Sequence, residues 1–202
     1  MEEDNLISII DEGPTRHLFF HGTLDKSAAF NLAASLYSIR ADLLVKNRQP
    51  AFKGFTAEEE TETGTIPINE NEFNIILHLN CPGGIVNSAF MVADTIQTLG
   101  INVDCIAEGT VASAGVLVFL ACNERVMLPH AQIYLHETLH CADNINFNEF
   151  KRFNADSKEI NKKLKEFYLE RTNLTLPKLN KLFKDEVVLD FKQAKEYGIT
   201  TA

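Results

Sequence analysis

Apolar residues recur along this chain with two different periods, and the changes from one to the other mark out the predicted elements. Ala29, Leu32, Ala33, Leu36, Ile39 and Leu43 fall three or four positions apart, as on one face of a helix. Asp25 stands where an N-cap is expected, and the pattern fades near Lys46. Upstream, His17–Phe20 reads as a short strand ended by Gly22. Asn74–Leu79 is an apolar run with little polar relief, the pattern of a strand covered on both faces. Pro82-Gly83-Gly84 closes that strand, a helix is predicted over Asn87–Leu99, and Gly100 stops it. A second strand is predicted over Asn102–Ala107; the small-residue run Val111-Ala112-Ser113-Ala114-Gly115 after Gly109 then opens an apolar helix. Short strands near Arg125–Leu128 and Gln132–Leu135 precede a long amphipathic helix over about Asn148–Arg171, with Phe150, Phe153, Ile160, Leu164 and Phe167 among its apolar positions. Thr175 and Asp190 read as caps of two short helices. Asp190 with Gln193 fits a capping box, and Gly198 is the stop. No internal repeat interrupts this order, and strand–turn–helix units in alternation predict an α/β fold.

Composition bounds the picture without changing it. The chain has 202 residues, 45% of them hydrophobic and 23% charged, enough for one domain with a real core. A net charge of −9 argues against a general binder of nucleic acid or of anionic membrane. The opening Met1-Glu2-Glu3-Asp4 has no basic, then apolar, export signal. Val111–Cys122, the longest apolar stretch, is far short of the roughly 20 residues of a membrane span. Cys81, Cys105, Cys122 and Cys141 show no CxxC spacing and read as reduced packing residues of a cytoplasmic chain. Between about 46 and 71 the composition shifts. Pro50, Gly54, Gly64 and Pro67 break the chain, and Glu58, Glu59, Glu60 and Glu62 make it acidic. This is an insertion of roughly 25 residues, beyond ordinary loop length.

Two segments carry candidate chemistry. Each runs from a buried strand through a tight turn with glycine into a helix N-terminus, where unpaired N–H groups and the positive dipole end lie. Such turns can hold an oxyanion when the N–H groups converge. Gly83-Gly84 lets a substrate approach the backbone closely. Ser113, between small neighbours, has the accessible hydroxyl a nucleophile needs. The same residues also fit a plain turn and a plain cap.

Asn80-Cys81-Pro82-Gly83-Gly84, Gly109-Thr110-Val111-Ala112-Ser113-Ala114-Gly115, Ile133-Tyr134-Leu135-His136 and Ala194-Lys195-Glu196-Tyr197-Gly198-Ile199, in that order, resemble the landmarks of the ClpP caseinolytic peptidases. The resemblance runs from about His17 to Ile199. It implies a crotonase/ClpP-like α/β fold of repeated ββα units with a long handle helix, in a single peptidase domain over 1–202 that carries the 46–71 insertion. It also implies stacked heptameric rings that hydrolyse peptides or unfolded polypeptides inside a chamber, a possible Clp-type AAA+ unfoldase partner, and no cofactor or metal. By position, Ser113 matches the nucleophile and His136 the general base. Gly84 and Ala114 match the two oxyanion-hole residues. The triad acid falls on Glu186, where the family usually has aspartate; adjacent Asp185 is the alternative. This fits elementary chemistry, since a serine hydroxyl needs a neighbouring imidazole to take its proton, and the imidazole needs a carboxylate to fix its tautomer.

Three other readings compete. The Glu at the acid position, His140-Cys141 where the family often has glycines, and no recognisable axial segment fit a catalytically weak scaffold subunit of a mixed ring. A crotonase-type acyl-CoA enzyme uses paired amides in the same way. His136-Glu137-Thr138-Leu139-His140 is a literal HExxH, the zinc metallopeptidase pattern, with Glu159 as a further ligand. On a helix its two imidazoles lie about 5–6 Å apart; on a strand they are about 13 Å apart, too far for one zinc. The β-branched and aromatic residues of Ala131–Leu135 favour the strand. His17, His21, His78 and His130 have no ligand spacing.

Overall fold

The computed structural model describes residues 6–12, 14–46, 73–138 and 146–202. The acidic insertion after Lys46, and His140 and Cys141, lie outside these residues. In chain order the elements are β1 (Leu6–Glu12), β2 (Thr15–His21), α1 (Lys26–Lys46), β3 (Asn74–Cys81), α2 (Val86–Thr98), β4 (Asn102–Ala112), α3 (Ala114–Ala121), β5 (Arg125–Met127), β6 (Gln132–Leu135), α4 (Phe147–Arg171), α5 (Leu176–Asp185), β7 (Val187–Leu189) and α6 (Phe191–Glu196).

All seven strands join one sheet in the order β1-β2-β3-β4-β6-β7, with β5 also paired to β4. The centre, from β2 to β6, is parallel; the two ends, β1 on β2 and β7 on β6, are antiparallel. β4 is the branch point. Its first half pairs with β5 through Cys105–Ala107, and its last residues, Thr110–Ala112, pair with β6. This fork carries β6 beside the turn at Ser113.

The predicted stripe of α1 is buried in full, Ala29 through Leu43. Asp25 caps that helix: its Oδ1 accepts from the Ala28 N–H at 2.7 Å. Leu18, Phe20, Ile75, Leu77 and Val103 are wholly buried with Leu32, Leu36, Val92 and Leu117 in one core, and each such side chain taken from water contributes about 1.5–3 kcal/mol. β3 departs from the expectation of a strand covered on both faces. Its residues alternate between buried and half-buried, as do those of β2 and β4, so one face makes the core and the other is partly open.

On that second face two of the histidines without ligand spacing, His17 and His78, meet. His17 Nδ1 lies 2.8 Å from His78 Nε2, and His78 Nδ1 lies 2.6 Å from Glu108 Oε1. An ionised carboxylate only accepts, so His78 donates from Nδ1 and its Nε2 accepts from His17. Phe19 stacks on the His78 ring at 4.2 Å between centroids.

Elsewhere β1 and β7 were not predicted, and the strand after Gly100 runs five residues further, through Gly109 to Ala112. α4 starts one residue earlier than expected, behind a full capping box of Asn146 and Glu149. Thr175 occupies the cap position of α5 without a side-chain bond, whereas Asp190 and Gln193 form the predicted box. Buried Arg125 ties the C-terminal segment down, donating to the carbonyls of Ile199 (2.8 Å), Gly198 (3.1 Å), Arg171 (3.3 Å) and Cys122 (3.1 Å). No helix among the described residues is long and apolar enough to cross a membrane.

Candidate active site

Two turns at the ends of the central strands abut. At the end of β3, Gly83 and Gly84 have φ of 116° and 148°, values that L side chains rarely adopt. Leu24, just before α1, clamps this turn: its N–H donates to the Gly83 carbonyl (2.8 Å), and its own carbonyl accepts from Ile85 (2.9 Å). A Cβ on Gly84 would fall 2.3 Å from the Leu24 oxygen, and one on Gly83 would fall 2.7 Å from Ser113 Cβ. Glycine is therefore required at both positions, for space as well as for φ. Gly115 packs the second turn onto the first, since a Cβ there would meet the Cys81 carbonyl at 2.9 Å.

Ser113 links β4 to α3 with φ 53° and ψ −125°. A non-glycine residue held there stores strain of about 1–3 kcal/mol, as in the sharp strand-to-helix turns that expose a nucleophile. The strain is held by the neighbours: the Ser113 N–H donates to the Tyr134 carbonyl at 3.0 Å, and Gly83 closes in from the other side. The N–H groups of Gly84 and Ala114 donate to no group among the described residues, leaving both open to a ligand oxygen.

His136 follows β6 and lines one narrow crevice together with Ser113 and Ala114. Leu164 and Tyr168 of α4, Phe183 of α5, Val86 and Thr138 line the rest of it. Burial alone keeps the Tyr168 phenol well above its ordinary pKa, so it is neutral. His136 Nδ1 donates to the Glu137 carbonyl at 2.6 Å. Neutral His136 is then protonated on Nδ1, and Nε2 is free to accept a proton. Among the described residues no hydrogen bond joins His136 to Ser113 or to Glu186.

Glu186 caps α5 in the left-handed conformation, φ 51°. β7 then pairs with β6 as Leu135↔Val187 and Tyr134↔Val188, and His136 and Glu186 are the residues next beyond that ladder. One oxygen of its carboxylate is engaged by another group: Tyr134 Oη donates to Glu186 Oε2 at 3.3 Å. The Tyr134 ring stacks against His136, 5.3 Å between centroids and 24° between planes. Sequence reasoning missed Tyr134, although a residue two before His136 on a strand shares its face. It also missed Leu24, for which there was no local signal.

The zinc pattern lacks its helix. His136–Thr138 are non-helical, His140 lies outside the described residues, and Glu159 is on the exposed side of α4 beside Lys163. The crevice does gather Ser113, His136 and Ala114, with Gly83 against Ser113 and Glu186 just ahead of β7.

The family model for Clp protease matches residues 65–202. An "ATP-dependent Clp protease proteolytic subunit" of Mesostigma viride is 31% identical over 131 residues, an alignment that spans 62% of this chain and only 55% of that relative's length. Among solved structures, a mutant ClpP1 of Listeria monocytogenes superposes with a TM-score of 0.69 at 18% identity, covering 91% of this chain and 88% of its own. That likeness shows the fold, which is crotonase/ClpP-like with α4 as the handle helix. With the family match over more than half of its length, the chain belongs to the Clp protease family.

Proposed function

We propose that this chain is a serine endopeptidase of the ClpP type, cleaving peptides or unfolded polypeptides inside a ring oligomer. One observation carries the reading: strained Ser113, pressed against the Gly83–Gly84 turn, opens with His136 onto a single crevice. His136 Nε2 takes the hydroxyl proton as Ser113 Oγ attacks the scissile carbonyl. The N–H groups of Gly84 and Ala114 hold the resulting oxyanion. His136 returns its proton to the leaving amine, and a water that it activates then frees the acyl group. Glu186 supports the imidazolium. The apolar wall of Leu164, Tyr168 and Phe183 favours an apolar side chain beside the cleaved bond. Stacked heptamers and a Clp-type AAA+ unfoldase belong to this reading as the family's usual partners.

A fluorophosphonate probe should label the wild-type protein at Ser113 and leave Ser113→Ala unlabelled, with peptide cleavage lost in parallel by about 10³-fold or more. A wild type that neither labels nor cleaves in any assembly state would sink the enzyme claim. The missing His136–Ser113 and His136–Glu186 hydrogen bonds favour a second reading, a weakly active subunit of a mixed ring. Co-purification with an active partner subunit would support it, and a fully active homo-oligomer would exclude it.

A further inference from the structure

Glutamate at the acid position raises a mechanical problem. Relative to aspartate it has an extra methylene and an extra rotor, so its carboxylate is harder to hold in one place. The neighbouring strand supplies a holder. Tyr134 and His136 lie two apart on one face of β6 and beyond its end, their rings stacked, and Tyr134 Oη reaches Glu186 Oε2. At 3.3 Å that bond is long for O–H···O, and it engages only one of the two carboxylate oxygens. The other accepts no hydrogen bond among the described residues, and Glu186 and His136 are the residues next beyond the last β6–β7 pair, Leu135↔Val187.

We propose that Tyr134 is a positioning residue for the acid: its phenol seats the Glu186 carboxylate while its ring backs the His136 imidazole. The proposal rests on the serine-peptidase reading above. His136 then completes the relay by one ring movement, turning Nδ1–H from the Glu137 carbonyl to the open oxygen of a carboxylate already in place. Glu186 and Tyr134 act as a matched pair, the longer acid and the hydroxyl that steadies it. Partial burial and the nearby Glu186 charge both push the Tyr134 phenol above its ordinary pKa, so it stays protonated and able to donate across the working pH range.

The test compares wild type, Tyr134→Phe, Glu186→Gln and the double variant as full chains. Fluorophosphonate labelling rate, peptide kcat and KM, and melting temperature are read for each. Tyr134→Phe keeps the ring and should lower kcat and labelling rate about tenfold with KM within about twofold, the mark of an interaction made in the transition state. In the Glu186→Gln background the same change should cost nothing more, because the hydroxyl acts through the carboxylate. That comparison holds even if Tyr134→Phe melts lower. Normal labelling of wild type with Tyr134→Phe equal or faster would overturn the proposal alone. So would a loss that persists undiminished in Glu186→Gln, which would make the tyrosine merely structural. A wild type that does not label overturns the peptidase reading, and this proposal with it.

Discussion

Gly83 and Ser113 share one small volume, and each fixes the other's backbone. A methyl group on Gly83 would have to displace Ser113 Cβ, 2.7 Å away, or the Ala112 carbonyl at 3.1 Å, and it would also occupy φ +116°. Gly83→Ala is therefore expected to destabilise the fold by about 1–3 kcal/mol and to slow fluorophosphonate labelling by more than stability explains. Labelling at the wild-type rate in a folded Gly83→Ala protein would show that the two turns are not in contact. At this scale the sequence was half informative. Ser113 and the glycines stood out because turn chemistry is local. Tyr134 and Leu24 did not, because each acquires its role only when a distant strand or turn is brought against it.

Several features of single elements can be read from their own residues. The stripe of α1, the cap at Asp25 and the box at Asp190 depend on neighbours within four positions. β1 and β7 depend on partners instead. β7 is three residues long and owes its existence to β6, and β1 becomes a strand by lying along β2 from Leu6 to Glu12. The extension of β4 to Ala112 similarly follows from pairing with β6, which overrides the small-residue run that suggested an earlier helix start. The start of α4 was legible in principle. Asn146 Oδ1 accepts from the N–H groups of Asn148 (3.0 Å) and Glu149 (3.1 Å), and Glu149 Oε2 accepts in return from Asn146 (2.8 Å). Asn146→Ala should cost about 1 kcal/mol, seen as a lower urea midpoint. Loss of helical signal should begin at the Phe147 end of α4, which hydrogen exchange would resolve.

Over the whole molecule, buried thiols make the fold sensitive to alkali. Desolvation raises the Cys81 thiol to about 11, against weaker opposing hydrogen bonds from the backbone at Gly83 and Leu24. Burial, and after it the adjacent Cys122, also hold the Cys105 thiol well above its ordinary value. A raised acid favours the protonated native state, so this contribution is complete below the unfolded value near 9 and is lost as pH rises toward 11. Stability should hold from pH 7 to about 8.5, then fall by roughly 1.4 kcal/mol per pH unit for Cys81 alone. Urea melts across this range should show the slope, and Cys81→Ala should reduce it; a flat profile to pH 11 would contradict the burial.

The Arg125 tie also bears on how the chain is made. Its guanidinium waits for carbonyls at Gly198 and Ile199, more than 70 positions later, and Glu186 arrives just ahead of β7. Nearly every ladder in the sheet joins strands far apart in sequence, the topology that folds slowly. During synthesis the centre of the sheet emerges well before residues 187–199. For that interval β6 has an unpaired edge, and the cavity reserved for Arg125 has no acceptors from the C-terminal segment. A nascent chain of this protein therefore passes through a stage in which the Ser113 turn can already form while Glu186 has yet to leave the ribosome, which delays completion of the candidate site until translation of this segment is complete.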